Sequence, residues 1–285
     1  MESQIDLEKR VIDLVTRFGE SPFRETGKRI KVTRECEVYA KGGYYAGSSP
    51  ESYECEEREI VYDTSRRRAV LAEFMEIGKP AIPILTKILT SEEGDYPNSF
   101  CHINEGVLPA LVWLGDEETS RSFLEPFQKK VRKVAELRAE KYCGADPYEH
   151  QVWSIARLWK NIPIQEAVPL LDAAARERPK YDQQISSFLF SESIRSSFID
   201  AMCMTATKDA ISTMLNAGKE DLQCKAYASS NCWWVLRSLQ ENKEKVGEVL
   251  YDIYCSTGDA QIKEMASSVL GYSRAIYWLK RKLGR

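Results

Sequence analysis

Residues 69–85 have the sequence AVLAEFMEIGKPAIPIL, in which two short apolar segments flank the dipeptide Gly78-Lys79. Pro80 follows directly, and the first position of a helix tolerates proline because its missing N–H would have no intrahelical partner there. The stretch therefore predicts two helices, residues 67–77 and 80–89, joined by a tight turn.

The same arrangement of two helices and a short turn recurs along the chain. Apolar residues at positions i, i+3, i+4 and i+7 predict amphipathic helices, each with one buried stripe. The further predicted pairs are 105–114 with 117–131, 150–160 with 163–176, 192–205 with 208–216, 221–239 with 243–254, and 260–270 with 273–283. Steps of 37, 46, 45, 35 and 30 residues separate the turn residues Gly78, Gly115, Asn161, Ala206, Glu241 and Gly271. Helix pairs that recur at roughly 40 residues are typical of an α-solenoid.

Two stretches carry a family resemblance. Residues 69–85 resemble a repeat of the HEAT-like (PBS-lyase-type) helical repeat family, with an apolar first helix, a glycine at the turn and then Pro-Ala-Ile-Pro. Residues 166–171, EAVPLL, resemble the second helix of another such repeat, and the later repeats match by periodicity only. The resemblance implies an all-α fold, a right-handed α-α superhelix of the HEAT-like or armadillo type with about six helix pairs. Because this architecture carries binding surfaces of many kinds, it implies a fold more than a function.

Residues 27–65 interrupt the helical pattern. Residues 29–39 alternate apolar and charged side chains, which is typical of a strand, and residues 55–63 end in β-branched and aromatic residues. A segment rich in glycine and serine lies between them and contains Tyr44 and Tyr45. We therefore expect a small β-hairpin insertion with two tyrosines at its tip.

The predicted organisation has three parts, and its composition is that of a globular protein. They are an N-terminal helix within residues 1–26, the hairpin-like insertion 27–65, and the HEAT-like repeat solenoid 66–285. The 285 residues include 40 Lys+Arg and 43 Asp+Glu, which gives a net charge of −3. The longest uncharged apolar run, residues 106–115, is far shorter than the roughly 18–20 residues that span a bilayer. Together with a first segment, MESQID, that resembles no secretion signal, this predicts a cytoplasmic protein without a membrane segment.

Eight cysteines are scattered along the chain, and none of them forms a C-x-x-C pair. In a chain of this length without an export signal, we expect free thiols in a reducing compartment. The alternative is a disulfide between Cys36 and Cys55, which could face each other across the predicted hairpin in an oxidising compartment.

Residues that could carry catalysis are sparse. The two histidines, His102 and His150, are 48 positions apart, and Cys101 next to His102 would point about 100° away from it on a helix. The sequence has no phosphate-binding loop, no serine-hydrolase elbow and no zinc-protease motif. We therefore expect no catalytic residue, no metal and no cofactor. A metal- or thiol-dependent enzyme and a bilin lyase, another enzyme with short repeats of this kind, remain alternatives.

Nucleic acid is the second partner class to consider, because some HEAT-like proteins are DNA glycosylases. A basic helix face consists of Lys129, Lys130, Arg132, Lys133, Arg138 and Lys141. The sequence pI of about 5.7 disfavours a duplex-binding domain, which is usually basic. Trp113, Trp153 and Trp159 have helical spacing with other apolar residues, so we expect them in the core.

The resulting expectation is a non-enzymatic scaffold or adaptor that binds a protein partner on the concave face of a superhelix. A HEAT-like DNA glycosylase or another nucleic-acid-binding repair protein is the alternative. We assume that the second helix of each pair lines the concave face. The candidate binding residues on these helices are Arg121, Gln128, Lys129, Asp172, Arg176, Glu244 and Glu248. Tyr44 and Tyr45 of the insertion are further candidates. Trp233 and Trp234 are adjacent and cannot share one helix stripe, so we expect one of them to pack against the neighbouring repeat, with partial exposure at an interface as the alternative.

Overall fold

The computed structural model describes residues 3–19, 23–37, 50–62, 65–92, 100–139, 146–177, 188–223, 231–271, 275–278 and 282. Within these ranges the chain is predominantly α-helical, as the sequence predicts. The helices are α1 (Gln4–Gly19), α2 (Ser65–Ile77), α3 (Ile82–Thr90), α4 (Phe100–Leu114), α5 (Glu117–Arg121), α6 (Leu124–Ala139), α7 (Asp146–Asn161), α8 (Val168–Arg176), α9 (Glu192–Thr205), α10 (Lys208–Gln223), α11 (Asn231–Glu241), α12 (Lys243–Ser256) and α13 (Ala260–Leu270). Turns of 3₁₀ helix at Lys79–Ala81 and Gln165–Ala167 precede α3 and α8.

Two strands lie between α1 and α2. Strand β1 (Phe23–Glu37) pairs antiparallel with strand β2 (Pro50–Tyr62), so that the start of one lies opposite the end of the other. The register shifts between Glu25 and Arg29.

The register of these strands separates the two cysteines that the sequence suggested as a disulfide pair. Cys36 lies opposite Glu51, whereas Cys55 lies opposite Val32. Four positions along a strand correspond to about 13 Å, and the Cα atoms of a disulfide lie within about 7 Å of each other. The suggestion that Cys36 and Cys55 face each other is therefore wrong.

Contacts between the helices follow a regular order. Each helix of a first row packs against the next, from α4 to α7, α9, α11 and α13. A second row, α6, α8, α10 and α12, makes contacts of the same kind, and each of its helices also packs on the first-row helix that follows it in sequence. At the N-terminal end, α1 packs against α2, α3 and α4.

Polar contacts between neighbouring helix pairs join residues about forty positions apart. In four such contacts the donor and acceptor atoms are 2.7–2.9 Å apart. The contacts, with their sequence separations, are Lys79 with Asp116 (37 residues), Arg121 with Glu166 (45), Lys160 with Asp200 (40), and Lys245 with the carbonyl of Met204 (41). The first two separations agree with the corresponding steps of 37 and 46 between turn residues, and the other two, 40 and 41, differ from the steps of 45 and 35 by five and six residues.

Several helix boundaries differ from the predicted ones. Helices α4 and α7 begin at residues 100 and 146, before the predicted starts at 105 and 150. Residues 221–223 of the predicted helix 221–239 belong to α10, and α11 begins at Asn231. Helix α10 continues past the predicted end at residue 216 and includes Gly218. A Cβ atom on Gly218 would lie 2.7 Å from Cε of Met265 and 3.3 Å from Cα of Cys232, so this glycine permits a close approach of helices. The predicted helix 117–131 is interrupted after α5, since the ring of Pro126 clashes with a helical carbonyl four residues earlier.

The core is continuous from α1 to α13, and its centre is aromatic. The ring of Phe127 lies 4.9 Å from that of Trp159 and 5.9 Å from that of Phe198, which joins α6, α7 and α9. No helix in the described ranges combines the length and the apolar character that a membrane crossing needs.

Candidate functional site

The residues predicted to bind a partner lie on the second row and at the adjoining turns, and most of their charges are paired locally. Arg121 in α5 contacts Glu117 and Glu166, Lys129 in α6 contacts Glu125 at 2.7 Å, and Arg176 in α8 contacts Asp172 at 2.8 Å. Gln128, Glu244 and Glu248 are exposed on α6 and α12, whereas Tyr44 and Tyr45 lie outside the described residues. The structure places these residues along one row but brings no convergent cluster of them together. Their role in binding stays a prediction.

Lys130, a member of the predicted basic helix face, is a structural residue. Its side chain is 4% exposed, and its ammonium group donates to the carbonyl of Ser91 at 3.0 Å and to Glu92 at 2.9 Å. The hydrogen bond from Lys130 is the main reason why the pKa of Glu92 is lowered. The same ammonium group lies 5.0 Å from the ring centre of Tyr148. The predicted basic face is therefore not continuous.

The three tryptophans expected in the core have different environments. Trp159 is 1% exposed, as predicted. Trp153 is half-buried, and Trp113 is 63% exposed, so the expectation was wrong for Trp113. Val107, Ala110, Leu111 and Leu114 occupy the buried stripe of α4, and Trp113 projects from the other side of that helix.

An exposed arrangement of tryptophan and arginine begins on α7. The guanidinium of Arg157 lies 4.8 Å from the ring centre of Trp153, one helical turn earlier. The indole nitrogen of Trp153 donates to the hydroxyl of Ser197 on α9 at 2.9 Å. A cation over an indole face is attracted by the ring quadrupole, and here it also covers part of the indole.

The arrangement continues from α9 to α11. Asp200 follows Ser197 by one turn and accepts a hydrogen bond from Lys160 at 2.7 Å. The pKa of Arg237 on α11 is raised mainly by its hydrogen bond to Glu241, with a smaller contribution from the charge of Asp200. The guanidinium of Arg237 lies 5.3 Å from the ring centre of Trp233, which is 55% exposed. We call this surface across three first-row helices the aromatic face, and its residues are Trp153, Arg157, Ser197, Asp200, Trp233 and Arg237.

A cavity of about 250 Å³ opens at one end of the aromatic face, between the first turns of α7 and α9. Its lining combines Trp153 and Ile194 with four polar residues, Glu149, His150, Ser191 and Ser193. The ring of His150 lies 6.1 Å from that of Trp153. The carboxylate of Glu149 is nearly buried and accepts a hydrogen bond from Nε of Arg138 at 2.8 Å, so its charge is compensated within the wall.

Two features of the described residues bear on catalysis. In that part of the chain, no group of three or more His, Cys, Asp or Glu side chains is arranged to hold a metal ion. Burial raises the pKa of the Cys203 thiol to about 11, with a small opposing effect of its hydrogen bond to Ser238. A thiol with this pKa is protonated at neutral pH and is a poor nucleophile. The described geometry consists of an aromatic surface with a small cavity at one end and the guanidinium of Arg157 beside Trp153.

Sequence reasoning identified the tryptophans individually but missed the aromatic face. The available signal was a tryptophan followed four residues later by a cation, because side chains at i and i+4 are neighbours on a helix. The pattern occurs at Trp153 and Arg157, and again at Trp233 and Arg237. It occurs a third time at Trp278, where the ammonium of Lys282 lies 4.5 Å from the ring centre.

Comparisons of the chain with protein-family models, with curated protein sequences and with solved structures find no match. The aromatic face and its cavity are therefore interpreted from their own geometry.

Proposed function

We propose that this protein is a non-enzymatic, HEAT-like helical-repeat adaptor that binds a protein partner. In this proposal residues 66–285 form a right-handed α-α superhelix, and the paired strands β1 and β2 form a small hairpin lobe near its N-terminal end. Two observations support a repeat architecture. Each helix of a row packs on its neighbour in the same row, and polar contacts recur at separations of 37–45 residues.

The aromatic face is the observation that carries the binding function. Trp233 leaves more than half of its surface in solvent although a fully buried position would be more favourable. Tryptophan and arginine are the residue types that contribute most to binding energy at protein interfaces. Two such pairs lie on one surface and are connected through Ser197 and Asp200. We therefore place the partner on the first row, in addition to the second-row residues that the sequence suggests.

Nucleic acid is the less favoured partner. A groove that tracks a phosphate backbone needs unpaired cations along its length. Beside the aromatic face Lys160 is paired with Asp200, and on it Arg237 is paired with Glu241, so among the described residues of this face a single guanidinium, that of Arg157, has no carboxylate partner. On α6, Lys130 is buried.

The test is affinity capture from a lysate of the source organism with three forms of the full chain, each with and without nuclease. The forms are the wild type, the double variant Trp233→Ala/Arg237→Ala, and a second-row control, Lys129→Ala/Glu248→Ala. We expect one protein to be recovered in stoichiometric amount by the wild type and the control, with nuclease present, and to be lost from the aromatic-face variant.

Three other results would redirect the proposal. Equal recovery by all three forms would contradict binding through the aromatic face. Loss only from the control would place the partner on the second row. Recovery that disappears with nuclease would favour the nucleic-acid alternative.

A further inference from the structure

Arg157 has a different electrostatic environment from the neighbouring cations Lys160 and Arg237. Lys160 and Arg237 each have a carboxylate partner within 2.7 Å. Arg157 is exposed, and among the described residues it has no ion-pair partner, only the indole of Trp153 beneath it. A guanidinium over an indole face can direct N–H donors outward, where they can bind a carboxylate in bidentate fashion.

The cavity next to Arg157 is suited to an apolar side chain. Trp153 and Ile194 supply apolar walls, and among the lining residues that the structure describes the carboxylate of Glu149 is already paired with Arg138. A volume of about 250 Å³ accommodates one large side chain but not a folded element. Small, mostly apolar pockets with a few polar groups are the usual sites for an anchoring residue of a partner.

The spacing between cavity and arginine limits the ligand. His150, Trp153 and Arg157 are at positions i, i+3 and i+7, so they lie on one stripe of α7. The four residues from Trp153 to Arg157 advance about 6 Å along the helix axis. An extended peptide covers that distance in about two residues, and side chains two apart point to the same side.

We propose that the partner segment is a short acidic peptide in extended conformation. It places a large apolar side chain in the cavity beside Trp153 and, two residues away, a carboxylate on Arg157. This inference rests on the proposed adaptor function and adds the chemistry of the partner.

The test is selection of a phage-displayed library of random twelve-residue peptides on the full chain, followed by fluorescence anisotropy with the enriched peptides as synthetic probes. We expect enriched sequences that contain a large apolar residue and Asp or Glu two positions away. Arg157→Gln removes a charge-assisted hydrogen bond and weakens binding by about ten-fold or more. Ser193→Trp, a change at an exposed position that fills the cavity, weakens it by a similar factor. The matched control Arg132→Gln, also at an exposed arginine, leaves the affinity unchanged.

Failure of this inference is distinguishable from failure of the adaptor proposal. Absence of enriched peptides, enrichment without acidic residues, or affinity that does not respond to Arg157→Gln overturns the acidic-peptide inference. If a protein is still captured in a manner that depends on Trp233, the adaptor proposal stands. Tight binding of a single-stranded dT oligonucleotide that competes with the peptide and depends on Arg157 assigns the site to nucleic acid and overturns both.

Discussion

The indole N–H of Trp159 donates to the backbone carbonyl of Ser120 at 3.0 Å, although the two residues are 39 positions apart. Ser120 in turn donates its hydroxyl to the carbonyl of Ile162 at 2.9 Å. The two hydrogen bonds join neighbouring helix pairs around an indole that is almost completely buried. Trp159 therefore contributes both apolar burial and a hydrogen bond to this junction.

Replacing Trp159 with phenylalanine is expected to lower the free energy of unfolding by about 2–3 kcal/mol, because it removes a buried hydrogen bond and leaves a cavity. The control is Trp113→Phe, at an exposed position, where the change is expected to stay within about 0.5 kcal/mol. Urea unfolding followed by circular dichroism measures both values. Equal effects of the two substitutions would contradict the central position of Trp159.

Gly247→Ala is expected to displace Tyr277 from helix α12. A Cβ atom at this position would lie 2.0 Å from the hydroxyl oxygen of Tyr277 and 2.6 Å from its Cζ. In a helix interior, alanine is more favourable than glycine by about 1 kcal/mol. A net loss of stability in the variant would therefore be due to the steric clash with Tyr277. The double variant Gly247→Ala/Tyr277→Ala should then be more stable than Tyr277→Ala alone. Gly258→Ala, where no atom lies within 4 Å, is the control without a clash, and hydrogen exchange of residues 275–278 measures the displacement.

Ala206→Gly is expected to stabilise the protein. Ala206 ends α9 with φ of 52°, and among the described non-glycine residues it alone has a positive φ. A left-handed conformation costs an L-residue about 1–2 kcal/mol, and the greater freedom of glycine in the unfolded chain offsets part of the gain. We expect a net increase of roughly 0.5–1 kcal/mol in thermal or urea unfolding. Ala72→Gly, at an exposed position inside α2, should instead destabilise by about 1 kcal/mol.

The carboxylate of Asp116 is expected to titrate at unusually low pH. The hydrogen bond from Lys79, followed by those from the backbone and side chain of Thr119, lowers its pKa from 3.8 to about 2. Because the folded-state pKa lies below the unfolded one, the contribution of this group to stability is complete above the unfolded value and is lost as the pH falls from 3.8 towards 2.

A titration of the Asp116 carboxyl carbon by NMR measures this pKa directly. Lys79→Met should raise it towards 3.8, whereas Lys263→Met on α13 should leave it unchanged. An Asp116 pKa that does not respond to Lys79→Met would contradict the assigned cause.

Alkylation with iodoacetamide is expected to separate two cysteines. Cys255 is exposed, whereas Cys203 is completely buried and its thiol has a pKa raised to about 11. Mass spectrometry after short exposures near pH 8 should find Cys255 modified first and Cys203 modified only as fast as the chain opens. In denaturant the two rates should become similar. Rapid native modification of Cys203 would show that helix α9 opens locally.

The positions of the helices follow from periodicity, so much of the fold could be predicted. The predicted ranges 192–205 and 260–270 agree with the bounds of α9 and α13. One error, the interruption of the predicted helix 117–131, has a local cause in Pro126, whereas another depends on a tertiary contact. Gly218 looks like a helix terminator in the sequence, but its missing side chain makes room for Met265 in another helix. Local sequence does not contain that information.

The candidate site could be predicted less well, because exposure depends on neighbouring helices. Trp153 and Trp159 lie on the same helix and have similar apolar neighbours in sequence, yet only Trp159 is fully buried. The predicted second-row residues include pairs at i and i+4, such as Asp172 with Arg176, whose mutual neutralisation was visible in their spacing. The aromatic face could not be predicted, because it depends on the packing of α9 between α7 and α11, and no local sequence pattern specifies that packing.

The regular spacing of the polar contacts has a consequence for how the chain acquires its structure. Four hydrogen bonds between helix pairs, from Ser120 onward, join residues that are 39–45 positions apart in sequence. They are those of Trp159 with Ser120, Lys160 with Asp200, Lys219 with Asp259, and Arg121 with Glu166. Because these contacts join nearby helix pairs, folding can start at any adjacent couple of helix pairs and spread in both directions. Under a pulling force applied to its two ends, this part of the molecule should lengthen in separate steps, one helix pair at a time.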